Sequence, residues 1–205
     1  MLAGKVTVSS FRDKLESMVH RQFPLENAYA MYNLLGSHDT ERALTMLNGD
    51  QVKLRLAWLI QMALPGAPAV YYGDEIGLEG GKDPECRQAF PWDTLEQKTG
   101  LRGFLQSLIH WRKRLPVLRR GSFQSLQAED GRGCMAFART LGESRLAVAF
   151  NASATRRTVR LNAKIIGWRD GQIITDLLSS QQYFVTGDEI TFALQPWSGT
   201  WLTLV

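Results

Sequence analysis

Two cysteines and three histidines in 205 residues leave little material for a disulfide framework or a histidine-rich metal centre. Cys86 and Cys134 stand in different regions and match no metal-ligand spacing, so reduced thiols, no metal and no cofactor are expected. No apolar run approaches the roughly 20 residues that a spanning helix needs, and no membrane partner is expected. The N-terminal Met1-Leu2-Ala3-Gly4-Lys5 lacks the pattern of a signal peptide and leads into a polar amphipathic stretch, which points to a cytoplasmic protein. Charge of one sign is lacking too: 24 basic and 20 acidic residues give a net charge of +4. The local basic clusters Arg112-Lys113-Arg114, Arg119-Arg120 and Arg156-Arg157 carry no interleaved aromatics. They read as solvated faces, and no nucleic-acid partner is expected.

What is present is a core-forming sequence, 44% hydrophobic, long enough for one or two domains. Ser10 reads as a helix cap, with Phe11, Leu15, Met18 and Val19 on one face and Pro24 as the stop. Residues 29–35 read as a first strand. Asn48-Gly49-Asp50 is a turn in which Asp50 caps a helix over 51–64, charged early and apolar nearly all round later. Pro65-Gly66 ends it, and 68–72 read as a second strand. Both strands are expected to be buried and parallel, since strand, helix, strand and helix is the pattern of a parallel sheet. A further helix over 101–114 turns Leu101, Phe104, Leu105, Leu108 and Trp111 to one side, and Pro116 ends it.

After Leu118 the texture changes to short β-branched or alternating runs at 122–127, 135–140, 146–150, 158–161, 173–176, 189–194 and 200–205. Turn signals such as Glu129-Asp130-Gly131 and Gly187-Asp188 separate them. Seven or eight short strands of this kind predict an antiparallel β-sandwich. The fold class is therefore α/β plus all-β, with domains at 1–116 and 117–205. A complete (β/α)8 barrel takes about 250 residues, so the first part can be only a portion of one.

The chemistry concentrates where the two parallel strands end. His38-Asp39 follows the first strand, although a His-Asp dipeptide taken alone is equally a turn cap. The glycine-rich and charged loop at 77–93 adds Asp83-Pro84-Glu85-Cys86-Arg87, a rigid turn offering a carboxylate and a guanidinium. Tyr71, Tyr72 and Trp92 supply aromatic faces. Planar multidentate groups beside aromatics suit carbohydrate, while a loop-stabilising ion pair is the plainer alternative. Asp74-Glu75 read as structural acids at the rim, and Asp13 and Glu16 lie on a helical exterior. Trp168, Trp197 and Trp201 read as core.

Asn33 to Arg42, containing LLGSHDTER, resembles the fourth conserved segment of the α-amylase superfamily of glycoside hydrolases. GAPAVYYGDEIG at 66–77 resembles the segment around that family's eighth barrel strand. GLEGGKDPECRQAFPWD at 77–93 is most similar to the neopullulanase, cyclomaltodextrinase and maltogenic amylase group. LIHWRKRLPVLRRG at 108–121 resembles the last barrel helix and its passage into the C-terminal β domain. The resemblance implies retaining hydrolysis of α-glucosidic bonds in cyclomaltodextrin, pullulan or maltooligosaccharides, by two carboxylates about 5 Å apart. It implies that Asp39 is the third, transition-state-stabilising carboxylate, that His38 bonds the same glucose ring, and that Asp83 and Arg87 bind the next glucose unit. It places the nucleophile and general acid on earlier strands with no counterpart in these residues, so the isolated chain is expected to be inactive. The alternative is a non-catalytic carbohydrate-binding module that self-associates or complements a missing half through uncovered barrel faces.

Overall fold

The computed structural model describes residues 1–22, 24–93 and 99–204. Helix α1, Val8–Ser17, is capped by Thr7 and not by Ser10. Thr7 is the residue with extended geometry, and its Oγ1 accepts from the Ser10 amide at 3.2 Å, which places Ser10 inside the first turn. The helix continues as a π-type turn, Met18–Gln22. Pro24 then opens a second helix, α2, Leu25–Ala30, so the expected strand at 29–35 shrinks to β1, Tyr32–Leu34. Tyr29 is helical and donates its hydroxyl to Gly121 O at 2.7 Å, docking α2 onto the far half of the molecule.

α3, Ala43–Met46, and α4, Gln51–Ala63, lead to β2, Ala67–Ala69, which pairs in parallel with β1. Asp50 caps α4 by accepting from the amides of Val52 and Lys53 at 3.0 and 3.1 Å. The helix buries Leu54, Leu56, Trp58, Leu59, Ile60, Met62 and Ala63. Its Gln61 amide donates 2.9 Å bonds to Asn33 O and Ala69 O, tying both strands to α4. The strands are parallel, but they are not buried: Tyr32 is 72% exposed and Leu34 45%. Among the described residues each has one ladder neighbour, and a two-stranded sheet leaves its outer edges and one face uncovered. β2 also ends before Val70, because 71–74 turn back with the Asp74 amide bonded to Tyr71 O.

α5, Thr99–Arg114, packs along α4, and Pro116 does more than stop it. Proline occupies the first position of a further helix, α6, Pro116–Arg120, where its missing N–H costs nothing.

Eight strands follow: β3 Ser122–Glu129, β4 Cys134–Leu141, β5 Ser144–Asn151, β6 Arg157–Asn162, β7 Ile173–Asp176, β8 Gln182–Phe184, β9 Glu189–Leu194 and β10 Ser198–Thr203. A short helix, α7, Ala163–Ile166, follows β6. The antiparallel ladders form a six-stranded sheet in the order β3-β4-β5-β10-β7-β8 and a two-stranded sheet β6-β9. Val205, the end of the expected last strand, lies outside the described residues.

The central strands β4 and β5 of the large sheet are buried on both faces, and the two faces differ in residue size. Cys134, Ala136, Ala138, Ala147 and Ala149 pack with Val159, Leu161, Ile190 and Phe192 of the small sheet and with Trp168. Met135, Phe137, Leu146, Val148, Phe150 and Trp201 pack on the helical half. Small residues let the second sheet approach closely, and large ones fill the wider gap to the helices.

The reading of Arg112 as solvated is wrong. It is buried and donates to Met62 O, Leu64 O, Leu118 O and Gly66 O. Arg139 on β4 is fully buried and donates to Ser122 O, Ala63 O, Leu118 O and Gly121 O. At Met62 and Ala63 the positive charge meets the carbonyl end of α4, the sign a helix C-terminus favours. Burial pulls the proton affinity of both guanidinium groups below its usual range.

Candidate functional site

The chain leaves β1 through Leu35 and Gly36 and folds into a tight turn braced by its own hydroxyls. The Ser37 amide donates to Thr40 Oγ1 at 3.0 Å, and the Asp39 amide to Ser37 Oγ at 3.2 Å. This turn presents His38 and Asp39 outward, with His38 Nε2 3.2 Å from Asp39 Oδ2.

The 77–93 loop lies against that turn. Arg87 Nε donates to His38 O and lies 3.0 Å from Asp83 Oδ1, while its Nη2 is 3.4 Å from Asp39 Oδ1. All four residues singled out by the sequence therefore meet in one cluster with Arg87 at its centre. The side chains of His38 and Asp39 are 64% and 68% exposed. Ion pairs so open to solvent contribute little to stability. The loop is held instead by bonds beneath them. Cys86 is buried and its thiol donates to His38 O at 3.2 Å. The Arg42 amide donates to Gly80 O at 3.0 Å, and the Gly80 amide to Thr45 Oγ1 at 2.8 Å. Gly80 has no room for a side chain, since a Cβ there would meet Glu85 O at 2.5 Å. Tyr72 donates its hydroxyl to Gln88 O at 2.8 Å, joining the exit of β2 to the same loop. Trp92, 74% exposed, stacks beside Phe90 at 4.6 Å.

Beneath this rim sits a pair absent from the sequence reading of the site. Arg42 is fully buried and bonds Asp74, itself only 3% exposed, at 3.2 Å. The Asp74 carboxyl is pushed up to about 6, first by burial and in smaller measure by Glu75, with Arg42 opposing the shift. The signal available for Arg42 was its place in the HDTER motif; nothing in the motif says that its side chain turns inward. Cys86 was read only as a reduced thiol, and its bond to His38 O depends on a fold that the spacing does not reveal.

Among the described residues, no group of three or more His, Cys, Asp or Glu side chains is placed to hold a metal ion. The cluster offers a carboxylate that accepts, an imidazole and a guanidinium that donate, and aromatic rings at the margin. Such a set suits a ligand rich in hydroxyl groups. Asp39 and Asp83 both contact Arg87 and face it as acceptors, an arrangement for binding.

The family model described as the α-amylase catalytic domain matches residues 3–121, and that of the maltogenic amylase C-terminal domain matches residues 123–201. Neopullulanase 2 of Thermoactinomyces vulgaris is 38% identical over 177 residues, covering 86% of this chain and 30% of that protein. A cyclomaltodextrinase of Geobacillus thermopakistaniensis is 34% identical over 194 residues, covering 94% of this chain and 32% of that protein. Among solved structures, a cyclomaltodextrinase superposes with a TM-score of 0.90 at 27% identity, over 99% of this chain and 34% of that one. An α-amylase of Geobacillus thermoleovorans complexed with acarbose superposes with a TM-score of 0.86 at 22% identity, over 100% of this chain and 45% of that one. This last likeness concerns the fold alone. The chain spans about a third of the length of these two curated relatives.

Proposed function

The chain belongs to the α-amylase family, whose catalytic-domain model matches residues 3–121, and from that premise we propose that His38, Asp39, Asp83 and Arg87 form the sugar-binding, transition-state-stabilising part of a retaining α-glucan hydrolase site. The observation that carries this reading is Arg87, which contacts the Asp39 and Asp83 carboxylates and the His38 carbonyl at once. In a retaining hydrolase the glucose ring flattens as positive charge develops at the anomeric carbon. A carboxylate that accepts from the ring hydroxyls, Asp39 here, gains strength as that geometry is approached and so acts on the transition state. His38 donates to the same ring, and Asp83 with Arg87 holds the neighbouring glucose unit.

The bond-breaking step needs a nucleophile and a proton donor flanking the anomeric carbon. The family resemblance gives Asp39 and Asp83 binding roles, so in this reading these residues bind and orient while the covalent chemistry comes from elsewhere. The 205-residue chain alone is inactive in this reading. Incubation of the purified chain with cyclomaltodextrin, pullulan and maltoheptaose is expected to give no turnover, and genuine turnover abolished by Asp39→Ala would overturn the inactivity. Maltoheptaose is expected to move the NMR signals of His38, Asp39 and Arg87, and to lose that effect in Asp39→Ala. Failure to move them sinks the site assignment.

A second reading is supported by the exposure of Tyr32 and Leu34 on the two-stranded sheet and of Val70 and Tyr72 just past its second strand. Beside β1 lies an apolar cavity of about 500 Å³, lined by Leu2, Phe11, Met31, Leu34 and Ile60 among others. Such a surface favours self-association or docking of a complementary half. Sedimentation is expected to show species larger than a monomer at micromolar concentration. A clean monomer with Tyr32 and Leu34 still exposed excludes self-association.

A further inference from the structure

Arg42 joins three segments of the site through one residue. Its amide bonds Gly80 O in the loop that carries Asp83 and Arg87. Its Nη1 donates to Tyr72 O at 2.6 Å and to Asp74 Oδ1 at 3.2 Å, both at the exit of β2. In the chain it stands three residues after Asp39. The guanidinium carbon lies 4.7 Å from the centre of the Tyr71 ring and 4.9 Å from that of Tyr72. Room for the pair is made by glycine on both sides. A Cβ at Gly36 would stand 3.3 Å from Asp74 Oδ2, and one at Gly73, where φ is +87, would stand 3.1 Å from Arg42 Nη1.

Stability does not account for this arrangement. Arg42 Nε and Nη2 are buried without a hydrogen-bond partner, so the charge is desolvated but incompletely satisfied. Buried ion pairs of this kind are commonly no more stabilising than apolar residues of the same size. The pair does fix the distance and angle between the His38–Asp39 turn, the β2 exit and the Arg87 loop.

We propose that Arg42 and Asp74 are positioning residues for Asp39 and His38, a buried latch that holds the sugar-binding turn in register with Arg87 while both are ionised. The inference rests on the reading of His38 and Asp39 as sugar-binding residues for its purpose, but not for its physics. The charged groups that act on Asp74 are Arg42 from the turn and Glu75 beside it. The Tyr71 and Tyr72 rings lie against Arg42, Cys86 acts on Tyr71, and Arg102 of α5 lines a cavity with Tyr72 and Glu75. The buried carboxyl, pushed up to about 6, keeps the latch closed at pH 7.5 and opens it at pH 5, where a neutral acid no longer holds the guanidinium by charge.

The test uses the full 205-residue chain carrying His38→Gln, which removes the imidazole's own titration. NMR follows the Asp74 carboxyl carbon, the Arg42 Nε and the amides of Asp39 and Thr40 between pH 5 and 8. The Asp39 and Thr40 amides are expected to share the inflection of the Asp74 carboxyl. Asp74→Asn in the same background is expected to abolish it and to leave those amides at their acid-side positions at every pH. Should Asp74→Asn fail to fold, Asp74→Glu is expected to move the inflection of the carboxyl and of both amides together. Amides that stay flat while Asp74 titrates, or that are unmoved by either substitution, overturn the proposal. No sugar is present, so failure of the glucan reading leaves the result intact, and maltoheptaose binding tests that reading separately.

Discussion

Arg87 and Asp74 show how far single residues can be pressed. Arg87 works as a fork, with Nε shared between His38 O and Asp83 and Nη2 reaching Asp39. Lysine carries the charge as a point and cannot hold three acceptors in those directions. Arg87→Lys is expected to weaken maltoheptaose binding about tenfold, the loss of one good charge-assisted contact. Because the ion pairs are exposed, the melting temperature is expected to stay within a degree or two, and calorimetry beside a binding titration separates the two effects. Asp74 behaves in the opposite way. Its folded carboxyl is pushed up to about 6 while the unfolded one titrates near its usual value of 3.8. Between those values the folded state holds the proton more tightly, so this group's share of stability falls as pH rises from 4 to 6 and stays low above. Relative to Asp74→Asn, which cannot titrate, the wild type is expected to lose about 2 to 3 kcal/mol over that range. Denaturant melts of both proteins at pH 4.5 and 7.5 measure it. A gap that widens in favour of the wild type at pH 7.5 contradicts the sign. A charged pair that costs stability yet fixes geometry is what a positioning role predicts.

At the scale of elements, two helix caps set a legible case beside a misread one. Asp50 follows Asn48-Gly49 and precedes an apolar run, and the structure puts its carboxylate on the Val52 and Lys53 amides. Ser10 looked equally suitable, yet Thr7 is three residues earlier and its oxygen takes the Ser10 amide. Local pattern cannot rank two hydroxyl residues at adjacent turns, because the choice is made by where the chain enters the packed core. Thr7→Ala is expected to cost about 1 kcal/mol in denaturant unfolding and Ser10→Ala well under half of that. Equal losses would return the cap to Ser10. The strand at 29–35 failed for a related reason. Its residues are apolar enough for strand, but Pro24 pre-sets a helical start and Tyr29 gains a bond to Gly121 O from across the molecule. β8 leaves no mark in the sequence because Gln182–Phe184 is three residues long, with Phe184 63% exposed, and too short for period-two alternation to register. The candidate site was more legible as a neighbourhood: His38, Asp39, Asp83 and Arg87 lie in motifs with strong family likeness, and the structure brings them together. Arg42 and the Cys86 thiol were missed because their roles depend on side chains turning inward.

Across the whole molecule, the two halves are joined by buried charge as much as by apolar packing. Arg112 on α5 and Arg139 on β4 share Leu118 O, and between them they collect carbonyls from the end of α4, from 64–66, and from 118–122. Most of these bonds to backbone acceptors are buried. Each guanidinium therefore satisfies several groups whose desolvation is otherwise uncompensated. Removing Arg139 takes a donor from acceptors on both sides of the junction, on α4 and at the start of β3. The β half has its own core around Trp168, Ile190 and Phe192 and does not depend on the junction for it. Arg139→Ala is therefore expected to cost about 3 kcal/mol or more and to split a single unfolding transition into two, the helical half melting first. Urea unfolding watched by far-UV circular dichroism and by tryptophan fluorescence checks this, since Trp58 lies in the helical half and Trp168 in the β half. If the two probes remain coincident in Arg139→Ala with a loss below about 1 kcal/mol, the junction is held by the apolar cluster and the buried arginines are incidental to it.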